Sequence, residues 1–176
     1  MAFLWEARGA RMSGRAVYVG TQLRTLGPAL EDMIGRYLGD ETAHWTLVEI
    51  GAGLAYVAGF LSKRFRWKSV EAVELGRTLV LLSVARAWLF GYGQGMRFRR
   101  QDILDYDMPE KALVYCYLNE GLLGLMQEKG QFAGRIVVCL TFAIPGKQPV
   151  ETVPLPNWQG NLRVYDFRDT PIGKRP

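Results

Sequence analysis

A carboxylate followed by two closely spaced glycines is the clearest chemical signal in the sequence. Glu49, Gly51 and Gly53 come at the end of a short apolar run, which is typical of a buried parallel strand. Glycines there let the backbone turn sharply and approach a ligand closely. About 20 residues later a second apolar run ends at Glu74, where doubly wound folds place a carboxylate that binds a ribose diol. Together these residues predict a site for a nucleoside.

The glycine spacing does not fit the common phosphate-binding loops. A dinucleotide site needs a third glycine where this chain has Tyr56, and a P-loop needs a Lys followed by Ser or Thr, which residues 54–57 lack. The pattern Glu-x-Gly-x-Gly with a downstream acid instead resembles the first motif of class I S-adenosylmethionine-dependent methyltransferases. The resemblance implies S-adenosylmethionine as the cofactor and S-adenosylhomocysteine as its product.

Alternating strands and helices are predicted to position these residues. The predicted strands are 46–50, 69–74, 96–100, 111–117, 135–142 and 162–167, and the predicted helices are 26–38, 55–65, 77–90 and 121–129. Strands that alternate with helices pair in parallel. We therefore predict an α/β fold, a Rossmann-like class I methyltransferase fold with a mostly parallel doubly wound sheet and a C-terminal antiparallel strand. The segment around Pro154, Pro156 and Asn157 is predicted to be a loop.

A third carboxylate, Asp102, follows the third predicted strand. Ligands of an α/β sheet bind beyond the carboxyl ends of the strands, so Asp102 belongs at the same edge as the glycines. An acid there accepts a hydrogen bond from an adenine amino group, while Leu75 and Ile103 cover the faces of the ring. Structural alternatives remain open for each acid: Glu74 flanking a helix, Asp102 capping a turn, and Glu49 tying a loop backbone.

A longer ordered series of segments resembles the small protein-lysine methyltransferase family. That family includes archaeal lysine methyltransferases and the mitochondrial enzymes that methylate ATP synthase subunit c and the adenine nucleotide translocase. The similar segments are 73–75, 86–91, 98–104, 117–120, 134–146 and 164–166, within a likeness that spans residues 18–169. The resemblance implies transfer of a methyl group to a protein lysine amine. It also assigns Tyr18 and Thr21 to a segment that touches the cofactor.

The chain departs from that family in the cofactor loop. An acidic residue, a glycine and an arginine usually follow the glycines, where this chain has Leu54, Ala55 and Tyr56. After Pro145, Gly146-Lys147 stands where an aromatic residue is common. Besides lysine methylation, the alternatives are therefore a methyltransferase for a small molecule or RNA, and a noncatalytic domain that keeps the fold and binds a partner.

Methyl transfer from a sulfonium needs few ionisable side chains, because the positive sulfur already activates the methyl group. A lysine amine must arrive neutral, which a desolvated mouth lined by Tyr115, Tyr117 or Trp158 favours by penalising the ammonium form. Tyr117 and Asn119 are predicted as the catalytic residues beside the transferred methyl, with Tyr117 also touching the cofactor. Asn119 or Glu120 would orient the amine or take up its proton.

Length and composition predict one globular domain. The 176 residues are 49% hydrophobic and 22% charged, and we assign residues 1–20 to an N-terminal extension and 21–176 to a single methyltransferase domain. The net charge of +5 is divided among small clusters, which are predicted to be solvated surface rather than a footprint for nucleic acid or acidic lipid. A protein substrate is what the family resemblance implies. Cys116 and Cys139 are predicted to be reduced, buried thiols. The single histidine, His44, has no partners in the sequence pattern that would make a metal site, and none is predicted.

No transmembrane segment is predicted. The most apolar stretch, 78–91, is interrupted by Arg86 and is predicted to be an amphipathic helix with Trp88 on its apolar stripe. Residues 1–15 lack the apolar core of a signal peptide. These patterns favour a cytoplasmic protein and leave its oligomeric state open.

Overall fold

The computed structural model describes residues 23–92, 95–156 and 160–171. Tyr18, Thr21, Trp158 and the predicted domain boundary after residue 20 lie outside the described residues. The helices are α1 (Leu23–Tyr37), α2 (Tyr56–Ser62), α3 (Arg77–Phe90) and α4 (Glu120–Glu128), with a 3-10 helix over Gly39–His44. The strands are β1 (Thr46–Ile50), β2 (Ser69–Glu74), β3 (Met96–Arg100), β4 (Ala112–Cys116), β5 (Ile136–Leu140), β6 (Glu151–Pro154) and β7 (Asn161–Asp166).

The strands form one sheet in the order β3-β2-β1-β4-β5-β7-β6. Strands β1 to β5 pair in parallel, whereas β7 pairs antiparallel with both β5 and β6. The predicted mostly parallel sheet with a C-terminal antiparallel strand is therefore confirmed. Because β2 and β3 lie on one side of β1 and β4 lies on the other, the strand order reverses between β1 and β4. Doubly wound sheets bind ligands at such a reversal.

Alternate residues of the central strands β1, β4 and β5 enter two separate hydrophobic cores. In β1, Leu47 packs with α1 and α2 on one face, and Val48 packs with α4 on the other. Both side chains are fully buried. A strand buried on both faces appears in sequence as a continuous apolar run, which is why β1 and β2 could be recognised without an alternating pattern. The two cores fix the direction in which each strand-end side chain points.

Strand β6 was not predicted. Its four residues pair antiparallel with β7 at the edge of the sheet, and the last of them, Pro154, lies in the segment predicted to be a loop. Only half of its side chains face the protein, and Pro154 ends it. A proline is tolerated at a sheet edge because no neighbouring strand needs its N–H. The proline and the short length hid the strand from sequence analysis.

Helix α3 has the predicted bounds but not the predicted burial. Its buried residues are the small Ser83 and Ala87, whereas its large apolar side chains face outwards and Trp88 is 82% exposed. The amphipathic prediction is wrong, since apolar residues occur on both faces of the helix. Among the described residues, no helix is both long enough and apolar enough to cross a membrane.

The two cysteines lie on neighbouring strands of the sheet. Cys116 in β4 is in register with Cys139 in β5, and both are buried and free. Their sulfur atoms are 3.2 Å apart, so the thiols contact each other without forming a disulfide. The prediction that both cysteines are buried in strands is confirmed, and their reduced state stays a prediction.

Candidate nucleoside site

The loop between β1 and α2 is a tight left-handed turn. Gly51 and Gly53 have φ angles of +64° and +53°, and Ala55 follows with a φ of +52°. A Cβ on Gly51 would lie 2.7 Å from Cδ2 of Leu118, the residue that follows Tyr117 after β4. The glycines therefore bring the backbone close to the end of β4, on the side where the strand order reverses.

The Gly51→Ala variant is expected to lower the free energy of unfolding by about 1–2 kcal/mol, because an L side chain is strained at a φ of +64°. The Gly35→Ala variant in α1 is the matched control. No atom lies within 4 Å of a Cβ at Gly35, and alanine favours the helix there. Urea unfolding measures the free energy of unfolding of both variants. Equal unfolding midpoints for the two variants would show that the loop carries no such strain.

Glu74 connects the glycine loop to the end of β2. Its Oε2 accepts a hydrogen bond from the Gly53 N–H at 2.9 Å, and its Oε1 accepts one from the Gly76 N–H at 2.8 Å. Each carboxylate oxygen can accept a further hydrogen bond. Half-buried Glu74 thus fixes the loop and still offers acceptor positions to two neighbouring hydroxyl groups, such as those of a ribose.

Glu49 lies beneath the same loop. The side chain is 5% exposed, and its Oε2 accepts a hydrogen bond from the Ala58 N–H at 2.7 Å. Burial raises the pKa of Glu49 to about 7, although hydrogen bonds from the backbone of Ala58 and Val57 and the charge of Arg86 oppose the shift. This contact fits the alternative in which Glu49 ties a loop backbone. It holds the first turn of α2 in place behind the glycines.

Asp102 lies at the same edge of the sheet as Glu74. The Gln101 N–H donates to the carbonyl of Glu74 at 3.2 Å, which extends the pairing of β2 and β3 up to Asp102. The exposed Asp102 side chain caps a turn through Oδ1, which accepts from the Leu104 N–H at 3.0 Å. Its Oδ2 has no hydrogen-bond partner within the described part of the chain. A capping role and a ligand-binding role are therefore compatible.

The two apolar residues predicted to cover a ring differ in accessibility. Leu75 is 45% exposed directly after Glu74, so its side chain is available to a ligand. Ile103 is 8% exposed and packs in the core beside α4, which leaves only a small part of it at the surface. Leu75 is the better placed of the two to contact a ring.

The residues after β4 form the other side of the site. Tyr117 is half-buried and stacks on Phe142, with the ring centroids 5.9 Å apart. Asn119 caps α4, since its Oδ1 accepts from the Leu122 N–H at 3.0 Å. Tyr115 is 2% exposed in the interior of the sheet, so the prediction that it could line the mouth is wrong. A residue in the middle of a strand buried on both faces has no route to the strand end.

Two residues of α3 support the loop and were not predicted as site residues. Ser83 Oγ donates to the carbonyl of Gly53 at 2.8 Å, and Arg86 Nη1 donates to the carbonyl of Leu54 at 3.3 Å. The Arg86 guanidinium also lies 3.9 Å from the centre of the Tyr56 ring. Leu54 and Tyr56 are thus engaged by α3. The only sequence signal was the single charge of Arg86 within an apolar stretch.

Comparison with solved structures identifies the fold. An RNA methyltransferase from Salinibacter ruber, in complex with S-adenosyl-L-homocysteine, matches with a TM-score of 0.72 over 90% of this chain and 99% of that chain, at 19% identity. The chain has the Rossmann-like methyltransferase fold. A Streptococcus pneumoniae protein described as a putative tRNA methyltransferase matches with a TM-score of 0.56 over 77% of this chain and 67% of that chain, at 15% identity.

A third methyltransferase structure shares the fold at still lower identity. M. capricolum TrmK, in complex with S-adenosyl-homocysteine, has a TM-score of 0.54 over 68% of this chain and 60% of that chain, at 9% identity. The sequence matches no protein-family model and no curated protein. The likeness therefore concerns the fold, and the chemistry of the site has to be argued from this chain's own residues.

Proposed function

We propose that this protein is an S-adenosylmethionine-dependent methyltransferase. The observation that carries the proposal is the position of Glu74. Its two oxygens accept from the Gly53 N–H in the loop after β1 and from the Gly76 N–H after β2, and they keep acceptor capacity for a ribose diol. In the loop beside it, Gly51 has a φ of +64° and no room for a Cβ against Leu118, so the close turn requires glycine there. Structural neighbours that contain S-adenosylhomocysteine support the same assignment.

The other site residues have separate roles in holding the cofactor. Asp102 Oδ2 accepts a hydrogen bond from the adenine amino group, and Leu75 and Ile103 contact the ring. The backbone of Gly51 and Gly53 lies against the amino-acid portion, and Glu49 holds that loop from beneath through Ala58. Tyr18 and Thr21 complete the site from the N-terminal segment, as the family resemblance implies.

The acceptor we favour is the amine of a protein lysine, as the ordered family resemblance implies. When bound, S-adenosylmethionine supplies a methyl group activated by the positive sulfur. The aromatic pair of Tyr117 and Phe142 makes a weakly solvated rim that favours the neutral amine over ammonium. The second lone pair on Asn119 Oδ1 accepts from an amine N–H and aims the nitrogen, and exposed Glu120 takes the released proton to solvent.

The altered loop does not favour a noncatalytic domain. Leu54 and Tyr56, which depart from the family pattern, are held by Arg86 on α3, and the glycine backbone keeps its left-handed turn. RNA is the second candidate acceptor. It is favoured by the Salinibacter ruber neighbour, an RNA methyltransferase that aligns over nearly its full length.

Asp102→Ala is expected to weaken the binding of S-adenosylhomocysteine about 10-fold, because the adenine amino group loses its acceptor. Asp102→Asn keeps an oxygen to cap Leu104 but replaces the second acceptor with a donor. The Asn variant should therefore retain the thermal stability of the wild type and still bind the ligand more weakly. Calorimetric titration and thermal unfolding measure the two effects. Unchanged affinity in both variants would remove Asp102 from the site.

Transfer of a labelled methyl group tests the acceptor. The protein is incubated with a cell extract and S-adenosylmethionine labelled in the methyl group, and samples are then digested with a protease or with ribonuclease. We expect the label in protein, on lysine, insensitive to ribonuclease. Label removed by ribonuclease would replace the lysine assignment with RNA. A protein that binds the cofactor product but transfers no label to any fraction would contradict the proposed activity.

A further inference from the structure

Helix α3 presents a broad apolar surface to the outside of the molecule. Leu81, Val84, Ala85 and Trp88 follow helical spacing along one exposed stripe. The neighbouring stripe contains Leu82 and Leu89, and Phe90 ends the helix. We call these seven residues the α3 face. Its last three side chains are 82%, 69% and 62% exposed, so the most exposed part lies at the C-terminal end of the helix.

The part of the chain that carries this face is strongly cationic. Residues 51–101 contain nine of the 22 basic side chains but only two of the 17 acidic ones, Glu71 and Glu74. Neither acid is free: Glu71 binds Arg99 and the Tyr106 hydroxyl, and Glu74 binds two backbone amides. The partner of this surface must therefore tolerate or prefer positive charge.

Cations lie directly at the exposed end of the α3 face. Lys63 Nζ, at the end of α2, donates to the carbonyl of Phe90 at 2.8 Å. Arg66 and Lys68 follow in the same exposed connection to β2. Lys63 thus lies beside the exposed end of the α3 face, and the exposed Arg66 and Lys68 follow it within five residues of the chain. This combination is characteristic of surfaces that lie in the headgroup region of a bilayer.

We propose that the α3 face docks this protein onto the surface of an anionic lipid bilayer. The helix has 14 residues, short of the roughly 20 needed to span a bilayer, so it lies in the interface. Tryptophan is favoured there because its ring is apolar and its N–H is polar. Lys63, Arg66 and Lys68 contact the anionic headgroups. The inference does not depend on the methyltransferase assignment.

Other occupants fit the same surface less well. RNA satisfies the cations but gains nothing from Leu81, Leu82 and Leu89. A second copy of the chain would bring two cationic surfaces together. A narrow groove on a protein fits one stripe of a helix, whereas the apolar side chains of the α3 face form two neighbouring stripes. A bilayer offers a broader surface that both stripes can contact.

Flotation with lipid vesicles tests the proposal on the full chain. Vesicles of phosphatidylcholine with about one-third phosphatidylglycerol are expected to bind the protein at least about 10-fold more strongly than pure phosphatidylcholine vesicles, since the headgroup attraction is electrostatic. The variant Trp88→Ser/Leu89→Ser should bind the anionic vesicles at least about 10-fold more weakly. The control Val150→Ser changes a 58% exposed apolar residue outside α3 and should bind like the wild type.

Fluorescence provides a readout that does not require a disruptive variant. Anionic vesicles with brominated acyl chains should quench the wild-type tryptophan emission, and Trp88→Phe should retain binding while losing most of that quenching. Binding of the serine double variant equal to that of the wild type would overturn the proposal. A second result would also overturn it: the wild type does not bind vesicles, light scattering shows that it is a dimer, and the serine double variant is a monomer.

Discussion

Replacing Glu74 with alanine is expected to weaken the binding of S-adenosylhomocysteine by about 10- to 100-fold. Two losses combine in this variant: the ligand's ribose hydroxyls lose their acceptors, and the Gly53 and Gly76 amides lose theirs. Each unsatisfied polar group in such a site costs about 1–3 kcal/mol. Calorimetric titration of the variant and the wild type measures the change in affinity.

Two further variants serve as controls. One keeps an acceptor oxygen at position 74 without the charge, and the other removes a carboxylate away from the site. Glu74→Gln keeps one acceptor oxygen and should fall between the wild type and Glu74→Ala. Glu128→Ala removes an exposed carboxylate at the end of α4 and should bind like the wild type. Wild-type affinity in Glu74→Ala would mean that β2 does not contribute a ribose acceptor, and the proposed site would have to be abandoned.

The ionisation of Glu49 is expected to make the fold less stable as the pH rises from about 4.5 to about 7. Burial raises the pKa of Glu49 from 4.5 to about 7 in the folded protein. Between these values the unfolded chain is ionised while the folded protein keeps its proton, so stability present at low pH is progressively lost. The full difference corresponds to about 3 kcal/mol, and it is constant above pH 7.

The Glu49→Gln variant isolates this effect from other titrating groups. Its side-chain oxygen can still accept from the Ala58 N–H, but it has no charge to bury. The variant should therefore be as stable as the wild type near pH 4 and more stable near pH 8, as measured by urea unfolding across that range. Parallel pH profiles for the two proteins would show that Glu49 titrates normally.

Sequence patterns located most of the elements that form the site. The predicted bounds of β1, β2, α3 and β3 agree with the structure. Glycine or charged residues at or beside nearly all of their ends mark where these segments begin and end. Strand β6 was missed because it is short, has no continuous apolar run and ends at Pro154. A strand at the edge of the sheet can form without an N–H donor at that position. Edge position alone does not decide the outcome, since β3 lies at the opposite edge of the sheet and was recovered.

The contacts within the site were less predictable than its location. The rule that ligands bind beyond the carboxyl ends of the strands placed Glu74 and Asp102 at the correct end of the sheet. The hydrogen bond between Glu74 and Gly53 could not be predicted, because it joins residues that follow two different strands. Ser83 and Arg86 reach the loop only because α3 crosses behind it. The burial of α3 was also unpredictable. A helix with apolar residues on every side does not reveal in its sequence which face packs against the sheet.

A crystal structure of the protein with S-adenosylhomocysteine tests the central claim most directly. We expect the ribose hydroxyls within hydrogen-bond distance of both Glu74 oxygens, the adenine beside Leu75 and the adenine amino group at Asp102. The account is contradicted if the ligand lies elsewhere on the molecule, or if crystals saturated with it show the space between Glu74 and Gly51 without density.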